Sequence, residues 1–228
     1  TLEETAYFLQ AVCRPTKPVV LTCAMRPATA LAPDGPQNLL DAVAVARHPG
    51  ARGVVAVCAG TLHSAFDVQK VHPYQLDAFS SGDAGPMGFI EEGRLRLSKN
   101  WPEWPVAQAV RAQPAIESIV NWQAWPRVEI VMSYAGASAA MVEALVAQGV
   151  RGLVAATTGN GTLHHALQEG LLRAQAAGIK VVRASRCVNG RILPLPGDAL
   201  ADSDGLSPVK TRVALMLELL AEDDANRV

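Results

Sequence analysis

The chain has 228 residues, 50% hydrophobic and 18% charged, with 20 Lys and Arg against 21 Asp and Glu and a formal net charge of -1. A chain of this size buries about 70% of the surface it exposes when unfolded, enough for one large or two smaller globular domains. Its basic residues are spread along the sequence, which leaves no electrostatic footprint for nucleic acid or an acidic membrane, and no apolar run approaches the roughly 20 residues of a membrane span.

In chain order, Thr1 and Glu4 have the T-x-x-E spacing of a capping box, which predicts a helix over 2–14 ending near Pro15. A cap at the first residue predicts a segment ahead of Thr1. PVVLTCA then reads as a buried parallel strand, and AMRPATALAPDGPQN as a loop that delivers Pro36 to the first position of a helix reaching about Arg47. GVVAVC is a second buried strand, GTLHSAFDVQKVHPY a loop, and MGFIEEGRLRLS a hairpin turning at Glu92-Gly93 on a sheet edge. Residues 99–127 hold four Trp and four Pro with a weak helical signal over 108–119, the texture of a packed connection. This divides the chain into 1–98, a linker over 99–126, and 127–228. After the linker, VEIVMSYA, GLVAATT and KVVRAS alternate with helices over 138–148, 162–177 and 208–221, a unit of three strands and three helices. The fold class is α/β: two domains with mainly parallel sheets flanked by helices, the first larger in its complete form and the second three-layered.

Strands joined by helices imply right-handed crossovers and ligands beyond the carboxyl ends of the strands. TTGNGTLHH follows a strand and opens a helix, but it lacks the third glycine of a dinucleotide fingerprint, so a tight turn is the expected reading. Adjacent His164 and His165 diverge by about 100° on a helix and are expected on its surface, not on a shared metal. Arg183 and Arg186 beside a strand end could take a carboxylate; solvation or a subunit contact is the plainer reading. Cys13, Cys23, Cys58 and Cys187 have no C-x-x-C spacing, so free buried thiols are expected in place of zinc. Of five lysines, Lys17, Lys180 and Lys210 open strands or helices and Lys99 lies at the boundary, where a solvated ammonium is unremarkable. Lys70 differs, because its loop follows a strand and also holds His63, Asp67 and His72. A lysine kept dry near other polar groups can take a proton from a hydroxyl, although a surface lysine in a long loop is the commoner case. His63 and His72 read as loop residues with local hydrogen bonds.

TLEETAYFL, PVVLTCAMRPATALAPDGPQNLLDAV, FDVQK, DAGPMGFIEEG, SYAGAS, TTGNGTL, RASR and LSPVKTRVALMLEL, taken together and in order, resemble the bacterial asparaginase and glutaminase family over almost the whole chain. AMRP and DGPxN are fairly specific, TTGNG weak, and their ordered run is strong. The resemblance implies a larger N-terminal α/β domain, a linker and a smaller C-terminal α/β domain, in a homotetramer whose active sites lie between two subunits. It also implies that the nucleophilic threonine and a Thr-Asp pair lie ahead of Thr1, so that residues 1–228 by themselves should be inactive.

By the same resemblance the catalytic residue inside this chain is Lys70, the lysine of FDVQK, which helps to deprotonate the threonine just before Thr1. Thr1, Ala24 and Gly136 are the implied substrate-binding positions, Ala24 through its backbone. Gly136 stands where the family commonly has an asparagine that reaches the neighbour's substrate, and VNGRILPLPGDALADSDG replaces the loop that brings a glutamate from the neighbour. The implied reaction releases ammonia from the side-chain amide of L-asparagine, or L-glutamine, through a threonine acyl-enzyme, with no metal and no organic cofactor. The alternatives are a non-catalytic paralogue or binding module for an acidic amino acid, and the amidase part of an amidotransferase. Partners are the small-molecule substrate and further copies of the chain, and the expected compartment is cytoplasmic, with periplasmic as the alternative.

Overall fold

The computed structural model describes residues 1–101, 114, 116–121 and 125–226. It divides into two compact units, Thr1–Ala109 and Val110–Val228. Most of the 99–126 connection lies outside the described residues; of the weak helical stretch over 108–119, residues 116–119 are described and helical.

In the first unit, helix α1 (Leu2–Cys13) leads into β1 (Pro18–Thr22), α2 (Gly35–Ala46) and β2 (Gly53–Cys58). β1 and β2 pair in parallel, Pro18 opposite Gly53 through Thr22 opposite Val57. The reason lies in β2, GVVAVC, buried at all six positions. Val54, Ala56 and Cys58 pack with Ala6 of α1 on one face, while Val55 and Val57 pack with Val45 of α2 on the other, as the twofold side-chain period requires. Each helix therefore covers one face of the same strand pair.

The chain then reverses. β2 passes into β3 (Thr61–Ser64) through Ala59 and Gly60, both with positive φ (48° and 70°), and Cys58 pairs with Thr61 across the turn. Two positive-φ residues between paired ends make the hairpin turn whose twist matches the strands. This strand stood in the sequence as part of a loop, since TLHS carries no alternation. β4 (Gln69–Lys70) and β5 (Phe79–Ser80) form a small separate antiparallel ladder. β6 (Gly88–Glu91) and β7 (Arg94–Leu97) form the expected hairpin, with Glu92 and Gly93 at φ 49° and 70°. The five-stranded sheet runs β1-β2-β3-β6-β7, so β7 lies at one end of that order.

In the second unit a short helix α3 (Ile116–Val120) precedes β8 (Val128–Met132), α4 (Ala140–Ala147), β9 (Gly152–Thr157), α5 (His165–Ala176), β10 (Lys180–Ser185), β11 (Ala201–Asp202) and α6 (Pro208–Ala225). The sheet order is β11-β10-β9-β8, parallel throughout. β11 adds a fourth strand to the expected three; at two residues it is too short to show a period. Leu153 and Ala155 of β9 face Leu145 of α4 and Leu171 of α5, whereas Val154 faces Leu215 and Leu219 of α6. Lys180 joins β10 to α6 through Glu218 at 2.7 Å and Glu222. Lys210 at the start of α6 is fully buried, a correction to the solvated ammonium expected of it.

The architecture is α/β with helices on sheet faces. The carboxyl ends of β1 and β2 are where the first unit offers a site.

Candidate active site

α1 precedes β1 and runs back against the sheet, so its first turn lies over the carboxyl ends of β1 and β2, where Cys23 and Cys58 sit. Arg14 ends the helix in the left-handed region, at φ 41°. At the other end the expected capping box does not close: Glu4 Oε1 lies 3.8 Å from the Thr1 nitrogen, an ion-pair distance and not a hydrogen bond, and the Thr1 side chain makes no cap bond. Thr1 itself is exposed.

Lys70 comes to this same place. Its backbone N–H donates to Glu3 Oε1 at 3.5 Å, which ties β4 to the first turn of α1 across 67 residues of sequence. Its Nζ stands 5.8 Å from the Phe79 ring centroid, on the strand that pairs with it. A charge at Lys70 is also felt by Cys23, so the ammonium, the end of β1 and the start of α1 share one neighbourhood. The side chain is exposed, not enclosed. This is the commoner case for a lysine in a long loop and not the dry alternative, because β4 is a two-residue strand at the margin of the unit.

Ala24 is exposed and sits beside the start of α2; a Cβ added at Gly35 would stand 3.3 Å from Ala24 Cβ. Two residues that sequence reasoning left in a motif without a role hold this backbone. Asp34 Oδ2 and Oδ1 accept the N–H groups of Met25 and Arg26 at 2.9 and 2.8 Å. Burial opposes the charge on Asp34, but these N–H groups and the Asn38 amide outweigh it and hold the carboxyl below its ordinary range. Buried Asn38 donates through Nδ2 to the Cys23 carbonyl at 2.8 Å and accepts the Ala59 N–H at 3.1 Å, joining the ends of β1 and β2. The fixed spacing of Asp and Asn in DGPQN was the available signal, since four residues on a helix place both on one face. A cavity of about 410 Å³ opens on the far side of this loop, between Arg26, Asp34, Asp41, Gly60 and Glu92, and does not include Lys70 or Ala24.

Other candidates separate. His63 is buried on β3 with Nδ1 2.8 Å from Ser81 Oγ, a strand residue and not the loop residue expected. His72 caps its own loop, its Nδ1 accepting the N–H groups of Tyr74 and Gln75 at 3.0 and 2.9 Å. Ser64 donates to Asp67 at 2.6 Å, closing the turn that follows β3.

In the second unit Gly136 is exposed at φ 79° with open space around it. This is a backbone conformation that glycine and asparagine both enter. His164 is the extended cap residue of α5, at φ -63° and ψ 136°, so it escapes the helical divergence expected and its ring lies 4.3 Å from that of His165. Arg183 is buried and bonds Asp198 within the chain at 2.8 Å, which corrects the solvated or intersubunit reading. Asn160 of the TTGNG turn is bound to the Leu193 backbone through both amide atoms, at 3.1 and 2.7 Å, as a structural turn requires. Of the cysteines only Cys58 is buried; Cys23 is half-buried and Cys13 and Cys187 are exposed.

Residues 1–103 match the family description "Asparaginase, N-terminal", and residues 127–228 match "Glutaminase/Asparaginase C-terminal domain". The whole chain is 36% identical to L-asparaginase 2 of Escherichia coli K12, of which it covers 66%, and 34% identical to L-asparaginase 2 of Bacillus subtilis, of which it covers 60%. It thus spans about two thirds or less of the length of these curated relatives. Among solved structures, one described as "Probable Cytoplasmic L-asparaginase" from Campylobacter jejuni superposes with a TM-score of 0.87 at 36% identity, covering 100% of this chain and 74% of that one. With both unit sequences matched and the fold shared at that identity, the chain belongs to the asparaginase and glutaminase family.

Proposed function

We propose that the protein hydrolyses the side-chain amide of L-asparagine, and of L-glutamine as a second substrate, releasing ammonia and the acidic amino acid. The observation that carries the reading is the Lys70–Glu3 bond, which brings the FDVQK lysine to the first turn of α1. In this reading the nucleophile is a threonine in sequence ahead of Thr1, and the chain entering α1 presents a second threonine to Lys70. The Lys70 amine takes the proton that the attack releases, amide N–H groups hold the oxyanion, ammonia leaves, and water returns the carboxylate. Ala24 lines the substrate through its backbone, which Asp34 and Asn38 hold in place. Thr1 flanks the reacting group, and Gly136 approaches substrate from a neighbouring subunit. The chemistry uses no metal and no organic cofactor, and the compartment we assign is cytoplasmic.

We assign a homotetramer. Exposed Leu39, Leu40 and Val43 on α2 support association of the first unit, and exposed Met132, Tyr134 and Met141 that of the second. Ammonia release from L-asparagine tests the function. Residues 1–228 alone are expected to release none, while the same chain preceded by the upstream segment of a family member turns over. Turnover by residues 1–228 alone would overturn the assignment of the nucleophile.

A further inference from the structure

The end of the parallel pair holds two sulfurs that the amidase reading does not use. Thr22 and Val57 are the last partners of β1 and β2, so Cys23 and Cys58 occupy the next register position on adjacent strands. Both side chains point to the face covered by α1, and their Sγ atoms stand 3.5 Å apart. Cys58 is buried and Cys23 half-buried, which makes an inner and an outer thiol.

We propose that Cys23 and Cys58 form a reversible thiol-oxidation site, in which Cys23 reacts with a hydroperoxide and Cys58 resolves the product as an intrachain disulfide. The Cys23 thiolate attacks the peroxide O–O bond and becomes a sulfenic acid, and the departing alkoxide or hydroxide takes up from solvent the proton that the Cys23 thiol had lost, leaving as an alcohol or water. The Cys58 sulfur, on losing its proton, then attacks the Cys23 sulfur and expels hydroxide, which takes up that proton as water. Two thiols give up two electrons and one peroxide is reduced, so atoms and charge balance.

Geometry and electrostatics support these steps. Neighbouring strands about 4.8 Å apart place the Cα atoms within the range that a disulfide spans, and the sulfurs need approach by only roughly 1.5 Å to bond. Thiolate character belongs to the outer sulfur: the hydrogen bond from Cys58 lowers Cys23 to about 7, burial and Asp34 oppose this, and Lys70 adds to it. The same contact, with burial, pushes the Cys58 thiol up, so that it waits as the protonated partner. A bridge with one half-exposed sulfur also remains open to reduction by small thiols.

Cys13 and Cys187 are exposed and serve as internal controls. The test treats the reduced protein with a small excess of hydrogen peroxide at pH 7, alkylates under denaturing conditions and maps the peptides by mass. The expected result is joint loss of Cys23 and Cys58 from the alkylated pool, with a linked peptide pair restored by dithiothreitol. Cys23 should react about tenfold faster than Cys13 or Cys187. In Cys58→Ser, Cys23 should halt as a dimedone-reactive sulfenic acid. Oxidation of Cys13 or Cys187 ahead of Cys23, or over-oxidation of Cys23 while Cys58 stays alkylatable, would overturn the proposal. The wild-type readout needs neither the variant nor any amidase activity, so the outcome is independent of the proposed function.

Discussion

Lys70 is a residue whose position is informative and whose surroundings are not. Its sequence setting suggested a pocket, yet the side chain is exposed, with Glu3 and the Phe79 ring as its defined neighbours. If it moves the threonine proton, Lys70→Ala in the catalytically complete protein should lower kcat by about 10² with little change in KM. Steady-state rates of ammonia release separate this from a binding role, in which KM alone would rise. Asp34 is the converse, a loop residue whose role only its partners reveal. Asp34→Asn replaces an acceptor of two backbone N–H groups by an amide and should cost about 1–2 kcal/mol of stability at neutral pH. Because the folded carboxyl is held below its ordinary value, its contribution is full above that ordinary range and disappears as pH falls through the depressed value. The Tm gap between wild type and variant, measured by calorimetry from pH 7 downward, should therefore narrow in acid. A gap independent of pH would show that the charge is not the stabilising feature.

The hairpins show what an element carries in its own sequence. Glu92-Gly93 was readable as a turn, and the same geometry recurs at Ala59-Gly60, where Gly60 was the one available cue to β3. Close approach decides other positions. A Cβ at Gly88, which β6 places between β3 and β7, would stand 2.4 Å from the Arg96 carbonyl oxygen, a backbone atom that cannot swing aside. Gly88→Ala should then destabilise the protein by about 2 kcal/mol or more, through displacement of β7. Chemical denaturation should show a lower midpoint in this variant, and an unchanged midpoint would mean that the edge strand shifts freely. β4, β5 and β11, at two residues each, were invisible in the sequence because pairing and not periodicity defines them.

At the scale of the whole molecule, exposed apolar side chains cluster on both units. Leu40 is 64% exposed and Met141 62%, on helices whose opposite faces fill the cores. Such surfaces are costly to leave in water and favour self-association. Light scattering on the catalytically complete protein should give the mass of four chains, and Leu40→Asp should shift the population toward smaller species. A monomer at micromolar concentration would overturn the tetramer and with it the role given to Gly136.

The sequence by itself determined the strand–helix alternation, the hairpin and the family, because β2 and β9 are uniformly buried runs and AMRP, DGPxN and TTGNG are spelled out in order. Only the tertiary structure decided what those motifs hold. Asp34 and Asn38 matter through backbone atoms supplied by Cys23, Met25, Arg26 and Ala59, Arg183 through an aspartate 15 residues away, and Cys23 through a thiol 35 residues away. Propensity and period act along the chain, whereas a hydrogen bond, an ion pair or a thiol contact depends on which distant segments packing brings within reach.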